Sequence, residues 1–187
     1  QKPYATQMDF LSKVWDGSKG VVGDNLGYYG CMAVACENGG RRPMPMHLRF
    51  WSPESPGFTS ENDELEAVFG IIIEATDGRG IFIYDRGGDN IEFYRYFLRK
   101  DVDFIVRLKS RYVISWKQKL MCEDLAGQCV MRYSDTITFD SHGKKTTVEL
   151  NYGVVPVRLP DIGDKLLHMV VIRGFGQKPM MLLTTLA

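Results

Sequence analysis

The stretch from residue 80 to residue 108 constrains the fold more than any other part of this sequence. Gly80–Tyr84 is a short continuous apolar run, typical of a central strand covered on both faces. The run stops at Asp85, and a helix is predicted next, with Asp89 as its N-cap and Glu92 three residues further on. Val102–Leu108 is predicted to form a second buried strand.

The preceding segment adds two strands and one clear helix. Tyr28–Glu37 and His47–Trp51 are predicted strands, and the turn signal Asn-Gly-Gly at 38–40 joins them into a hairpin. After an N-cap at Thr59 or Ser60, apolar residues recur at helical spacing and predict an amphipathic helix. The order strand, strand, helix, strand, helix, strand indicates an α/β fold with a mixed sheet.

Beyond Ser110 the pattern becomes that of strands and turns, and no helix is predicted between residues 111 and 187. The predicted organisation is therefore an α/β core over 1–110, an all-β insertion over 111–173, and a return strand within 174–187. The strands predicted after Ser110 lie at Trp116, Val130–Tyr133, Thr136–Phe139, Thr146–Tyr152, Val154–Arg158, Leu167–Arg173 and in the apolar run that begins at Met180.

Composition excludes several classes of protein. A chain of 187 residues with 44% hydrophobic and 25% charged residues is expected to be globular and about one domain in size. No apolar run approaches 18 residues and no signal-peptide pattern opens the chain, so we expect no membrane span and a cytoplasmic location. Four cysteines are too few for a disulfide scaffold, and the spacing Cys122-x6-Cys129 does not fit a structural zinc site.

The charge is balanced overall but unevenly distributed. The chain has 23 basic and 23 acidic residues, a formal net charge of zero. Residues 91–119 nevertheless carry eight basic and three acidic side chains, whereas residues 1–90 carry eight basic and thirteen acidic ones. A basic stretch therefore lies in the middle of a neutral chain.

Asp85 is the sharpest candidate for chemistry. It follows a predicted buried strand directly and is followed by Arg86, two glycines and a helix. Ligands of open α/β sheets bind outside the carboxyl ends of strands, and carboxylate oxygens suit hard divalent cations. The alternative interpretation is that Asp85 simply begins a turn.

Several segments together resemble one family. The segment Tyr84-Asp-Arg-Gly-Gly-Asp-Asn90, then Phe93-Tyr94, and then Phe104-Ile-Val-Arg-Leu-Lys109 are similar to the second-aspartate region of DDE transposases of bacterial insertion sequences. The closing run Lys178–Thr185 resembles the strand before that family's glutamate-bearing helix. The opening residues Gln1–Ala5 resemble the segment after its first aspartate.

The resemblance implies a ribonuclease-H-like catalytic core interrupted by a β-rich insertion. It also implies two Mg²⁺ or Mn²⁺ ions held by two aspartates and a glutamate, which cleave transposon ends and transfer DNA strands. Asp85 corresponds to the second aspartate. The other two carboxylates would lie before Gln1 and after Ala187, so we expect a fragment that is inactive alone. The implied partners are transposon-end and target DNA, bound by a dimer in the bacterial nucleoid.

Basic residues are the candidates for DNA contact. Arg107, Lys109 and Arg111 alternate along the chain and are expected to face one side, and Lys117 and Lys119 continue the pattern. Arg86, beside Asp85, could steady a phosphate or pair with Asp89. Trp116 could stack on a base or sugar, although tryptophan more often serves packing.

Two other functions remain open from the sequence. One is a non-catalytic nucleic-acid-binding module, such as a degenerate transposase remnant. The other is a metal-dependent nuclease with a ribonuclease-H-like core. A missing first strand would also leave an unpaired sheet edge through which chains could associate.

Overall fold

The computed structural model describes residues 8–16, 20–37, 42–141 and 144–186. The chain divides into two compact units, residues 1–78 and residues 79–187. This division does not test the predicted boundaries at residues 110 and 173, which stay predictions. The turn signal at 38–40 and the opening segment 1–5 lie outside the described residues.

In the part that the structure describes, the first unit contains two antiparallel hairpins and one helix. Its strands are β1 (Ser12–Asp16) with β2 (Val21–Gly27), and β3 (Tyr29–Ala35) with β4 (Met44–Trp51). The helix, α1 (Glu61–Thr76), contacts β3 and β4, and an ion pair joins Arg49 to Glu64.

The helix α1 begins where the sequence predicts. The Ser60 hydroxyl accepts a hydrogen bond from the Asp63 backbone N–H, and acidic residues fill the first turn, where the helix dipole favours them. The helix ends at Asp77, whose left-handed backbone turns the chain away.

The second unit is built on a six-stranded sheet and a helix that crosses it. Its elements are β5 (Ile81–Tyr84), α2 (Ile91–Arg99), β6 (Asp103–Arg107), β9 (Tyr133–Ser141), β10 (Lys144–Val157), β11 (Leu167–Arg173) and β12 (Met180–Thr184). The strand order among the described residues is β5-β6-β12-β11-β10-β9. β5 and β6 are parallel and connected by α2, whereas every other neighbouring pair in this order is antiparallel.

A separate hairpin and a short helix lie between β6 and β9 in the chain. The hairpin pairs β7 (Tyr112–Ser115) with β8 (Gln118–Met121), and α3 (Cys122–Gln128) follows directly. The expectation of no helix after residue 111 is therefore wrong. α3 is only seven residues long, too short for apolar periodicity to identify it.

The core of the second unit forms between α2 and the sheet. Phe97 and Phe104 lie with ring centroids 5.7 Å apart, and Tyr94 lies 5.5 Å from Phe104. Tyr94 and Phe104 are fully buried. Aromatic packing therefore fixes the helix against β6, and with it the loop that leads from β5 into the helix.

The predicted ribonuclease-H-like α/β fold is wrong for this structure. The chain is mostly β, with 45% of residues in strands and 23% helical, and it has a curled six-stranded sheet and three α-helices among the described residues. The strands predicted as an insertion continue the same sheet, because β12 pairs with β6. Periodicity predicts which segments are strands, but it does not predict which strands pair.

The strand β5 also differs from its prediction. It lies at one end of the sheet order rather than in the centre, and the Ile83 side chain is 75% exposed. The continuous apolar run therefore predicted a strand correctly, but it did not predict that the strand lies at the end of the sheet order.

Candidate functional site

Asp85 lies where β5 ends, as the sequence predicts. Its carboxylate accepts a hydrogen bond of 2.7 Å from the backbone N–H of Gly87, and this bond caps the short 3-10 turn Arg86–Gly88. The residue is exposed. Among the described residues, the other carboxylate oxygen has no hydrogen-bond partner. The carboxylate therefore begins a turn, as the alternative interpretation has it, and one oxygen remains open to solvent.

The turn is closely packed behind Asp85. Gly88 is buried, and a Cβ atom there would lie 2.3 Å from Cδ1 of Tyr84. Tyr84 in turn packs against Phe93 of α2, with ring centroids 6.1 Å apart. A side chain at residue 88 would displace the turn, so glycine at this position fixes where Asp85 lies.

Asp89 has a different role from the predicted N-cap. The cap of α2 is Asn90, whose side-chain oxygen accepts a 3.0 Å hydrogen bond from the Glu92 N–H. The predicted N-cap was wrong by one residue, because asparagine suits this position as well as aspartate does.

The Asp89 carboxylate instead joins three parts of the second unit. It accepts hydrogen bonds from the Tyr94 hydroxyl at 2.9 Å and from the Lys109 backbone N–H at 2.6 Å. It also forms a 2.6 Å ion pair with Arg111. The Asp89 side chain is 2% exposed and that of Arg111 is 19% exposed. We call these residues the Asp89 cluster: Asp89, Tyr94, Lys109, Arg111 and Cys122.

Burial raises the pKa values of two groups in the Asp89 cluster. Burial, followed by the neighbouring Asp89 charge, raises the pKa of Tyr94 well above its usual range. Burial raises the pKa of the Cys122 thiol to about 11. That thiol sulfur also accepts the Arg111 backbone N–H at 3.4 Å. Both groups therefore stay neutral near pH 7, and the mostly buried charges of the cluster are those of the Asp89–Arg111 ion pair.

A pocket of about 540 Å³ opens beside this cluster. Its basic lining residues are Lys109, Arg111 and Lys119, and its acidic ones are Asp89 and Asp161. The Arg111 side chain is paired with Asp89, whereas Lys109 and Lys119 are exposed. The remaining lining residues are Gly87, Asn90, Ile91, Tyr112 and Pro160.

The structure brings together only some of the predicted DNA-contacting residues. Lys109, Arg111 and Lys119 line one pocket, but Arg86, Arg107 and Lys117 are not among its described lining residues. Arg86 is exposed in the turn after Asp85. The Nε of Arg107 is buried without a hydrogen-bond partner among the described residues. Lys117 lies at the tip of the β7–β8 hairpin.

Sequence reasoning missed the contributions of Tyr112 and Asp161 to this pocket. Tyr112 supports Lys119, whose Nζ lies 4.7 Å from the centre of the Tyr112 ring. Asp161 comes from the 3-10 turn Pro160–Ile162, 72 residues after Asp89 in the chain, and its carbonyl oxygen accepts a hydrogen bond from Arg95 of α2. No local pattern marks such a distant residue.

A complete metal site is not formed by the described residues. No group of three or more histidine, cysteine, aspartate or glutamate residues lies close enough there to hold an ion. Asp85 alone offers one carboxylate, which does not fit a site for two divalent cations.

No helix in the described part of the chain is both long and apolar enough to cross a membrane.

No protein-family model matches the sequence, and a search of curated proteins found no match.

Proposed function

We propose that this chain is part of a DDE transposase and that Asp85 is one of the carboxylates at its catalytic centre. The observation that carries the proposal is the position of Asp85. Its carboxylate is exposed at the end of a strand, held by one backbone hydrogen bond, and lies within the motif that resembles the family's second aspartate.

The surroundings of Asp85 support this role. The turn leaves one carboxylate oxygen open, while the glycines and Tyr84 hold its backbone in place. Exposed Lys109 and Lys119 supply positive charge in the neighbouring pocket, which suits contact with DNA phosphates. Arg111 serves the Asp89 cluster rather than DNA, because its charge is paired with Asp89.

In this proposal, the other two carboxylates come from outside residues 1–187. When bound in the complete site, two divalent cations would activate the attacking oxygen and stabilise the leaving oxygen. The described residues do not complete such a site. We therefore expect the 187-residue chain to bind Mg²⁺ weakly and to cut no DNA.

The test uses the complete translated product of the gene and the variant Asp85→Asn. Asparagine can still accept the Gly87 N–H, so the turn is kept while the negative charge is removed. Excision of a marked element in cells, and Mg²⁺-dependent cleavage of its ends in vitro, are expected to fall by at least about 100-fold, because a metal-binding carboxylate is lost.

Asp101→Asn is the matched control. Asp101 is also exposed, and it lies in the turn at the other end of α2 with a φ of 53°, which asparagine tolerates. Its excision and cleavage activities are expected to be unchanged. Full activity of the Asp85→Asn protein would contradict the proposal, as would DNA cleavage by the 187-residue chain alone.

A second candidate is a non-catalytic nucleic-acid-binding module. One observation favours it: the Asp85 carboxylate already has a structural task as the cap of its turn. Two results together would support this alternative. The complete gene product would bind DNA equally well with and without Mg²⁺, and neither the wild type nor the Asp85→Asn variant would cleave DNA.

A further inference from the structure

Trp116 lies at the tip of the β7–β8 hairpin, and its side chain is 68% exposed. Ser115 pairs with Gln118, so Trp116 and Lys117 form a two-residue turn. Both have left-handed backbones, with φ of 46° and 67°. These values describe a turn of the I′ type, in which both central residues have positive φ.

Trp116 and Lys117 are unusual residues for such a turn. Turns of this type favour Asn-Gly, because a Cβ atom is disfavoured in the left-handed region. An exposed tryptophan gains little packing to offset that cost. Stability therefore does not account for Trp116, and residues held in disfavoured conformations concentrate at functional sites.

The hairpin holds its tip firmly. Val113 and Ser115 are buried on one face, and the Ser115 hydroxyl donates a 3.1 Å hydrogen bond to the Pro156 carbonyl. Backbone hydrogen bonds of 2.8 and 2.9 Å also connect Ile114 with Arg158. These hydrogen bonds hold the hairpin, and with it the tip, against residues 156–158 of the second unit.

The other face of the hairpin carries positive charge. Lys119 lies over the Tyr112 ring, and both residues line the pocket described above. Lys117 is next to Trp116 and exposed.

We propose that Trp116 stacks on an unpaired or unstacked DNA base while Lys117 and Lys119 contact the phosphates of the same strand. The inference rests on the proposed function, since it takes DNA as the partner. Exposed aromatic rings together with nearby cations are used by proteins to bind single-stranded nucleic acid, because every base has a face on which a ring can stack. Here Trp116 is exposed, and the exposed lysines Lys117 and Lys119 lie one and three residues further along the hairpin.

The experiment measures binding of the 187-residue chain to a fluorescent dT12 oligonucleotide and to a 12-base-pair duplex by anisotropy at low salt. Trp116→Ala is expected to weaken dT12 binding by about 5- to 150-fold, the range that follows from the loss of one stacked base. Trp116→Phe is expected to stay within about 3-fold of the wild type, since a phenyl ring can still stack. The effect on the duplex is expected to be smaller.

Two further variants separate stacking from folding and from charge. Trp116→Asn introduces a residue that the turn favours, so it is expected to unfold at the same or a higher temperature and still lose dT12 affinity. Lys119→Ala is expected to reduce the salt dependence of log K by about 0.7, whereas Trp116→Ala leaves it unchanged.

Trp15→Ala is the matched control, because Trp15 is also exposed, at 54%, but belongs to β1 of the first unit. Its dT12 affinity is expected to be unchanged. Wild-type binding that Trp116→Ala leaves intact would overturn the stacking role and leave the proposed function standing. Failure of the wild-type chain to bind dT12 would also overturn the stacking role, whereas the proposed function is tested separately by Asp85→Asn in the complete gene product.

Discussion

Asp85 and Asp89 stand at the two ends of one short loop, yet their surroundings differ in almost every respect. Asp85 is exposed and accepts one backbone hydrogen bond. The Asp89 side chain is 2% exposed. It accepts hydrogen bonds from a tyrosine hydroxyl and a backbone N–H and forms an ion pair with an arginine. The three protein partners of Asp89 tie its buried carboxylate to the fold, so the exposed carboxylate of Asp85 is the better candidate for chemistry.

The comparison also shows how one part of the loop depends on the other. Asp89 joins the start of α2 to residues 109–111, and the backbone N–H groups of Gly88 and Asp89 donate hydrogen bonds to the carbonyl oxygens of Asp85 and Arg86. Fixing the buried end of the loop therefore fixes the exposed end. The variants below test this division of roles.

The largest effect is expected from Asp89→Ala. Removing the carboxylate leaves the Arg111 guanidinium mostly buried without its counter-charge, and it frees the Tyr94 hydroxyl and the Lys109 N–H. Loss of one partner of a buried ion pair costs about 3–5 kcal/mol. Urea denaturation followed by circular dichroism measures the change in the free energy of unfolding. A decrease of less than about 1 kcal/mol in the free energy of unfolding would show that Asp89 contributes no more to the stability of the fold than Asp85 does.

The next effect is a loss of stability at alkaline pH. The pKa of Cys122 is about 11 in the folded chain against 9.0 for a free thiol, so above pH 9 the unfolded chain releases a proton that the folded chain retains. This contribution is fully present below pH 9 and is lost as the pH rises to 11, by up to about 3 kcal/mol. Burial of Tyr94 acts in the same direction.

Thermal unfolding from pH 8 to pH 11 measures this loss. Cys122→Ala is expected to flatten the decline, and Cys36→Ala, at an exposed cysteine of the first unit, is expected to leave it unchanged. An equally steep decline in the Cys122→Ala protein would contradict the assignment to that thiol.

A smaller effect is expected from Gly88→Ala. The new Cβ would meet the Tyr84 ring at 2.3 Å, so either the ring or the turn must move, at a cost of about 1–3 kcal/mol. Gly127→Ala is the control, because nothing lies within 4 Å of the Cβ there and alanine suits its position in α3. That variant is expected to be neutral or stabilising by up to about 1 kcal/mol, and equal effects of the two would contradict the packing argument.

The smallest effect is expected from Asp85→Ala. It removes one exposed hydrogen bond to Gly87 and is expected to cost about 1 kcal/mol or less. The same denaturation measurement applies, and Asp85→Asn should cost less still. Stability losses for these variants that match the loss for Asp89→Ala would show that Asp85 is also part of the folded framework.

The elements of the fold were predicted better than their arrangement. The helix α1, the strand β6 and the strand β12 lie where apolar periodicity and capping residues placed them. The fold class was wrong, because β12 extends the sheet from β6 and joins the later strands to it. Local patterns report which side of an element is buried, whereas pairing between distant strands depends on the whole chain.

The candidate site was predictable to a similar degree. Lys109, Arg111 and Lys119 do line one pocket, and Asp85 does end a strand. The role of Asp89 could not be predicted, because the hydroxyl, N–H and guanidinium that reach it come from later positions in the chain. The exposure of Trp116 depends on the turn type, which its Trp-Lys sequence does not indicate.

The pairing of β6 with β12 has a consequence during protein synthesis. About 73 residues separate Arg107 from Met180, and ribosomes add about 5–20 residues per second. For roughly 4–15 s, the β5–α2–β6 segment therefore emerges before the strand that completes it. Through that interval the nascent chain presents the open edge of β6, and a chaperone that shields strand edges would raise the yield of folded protein.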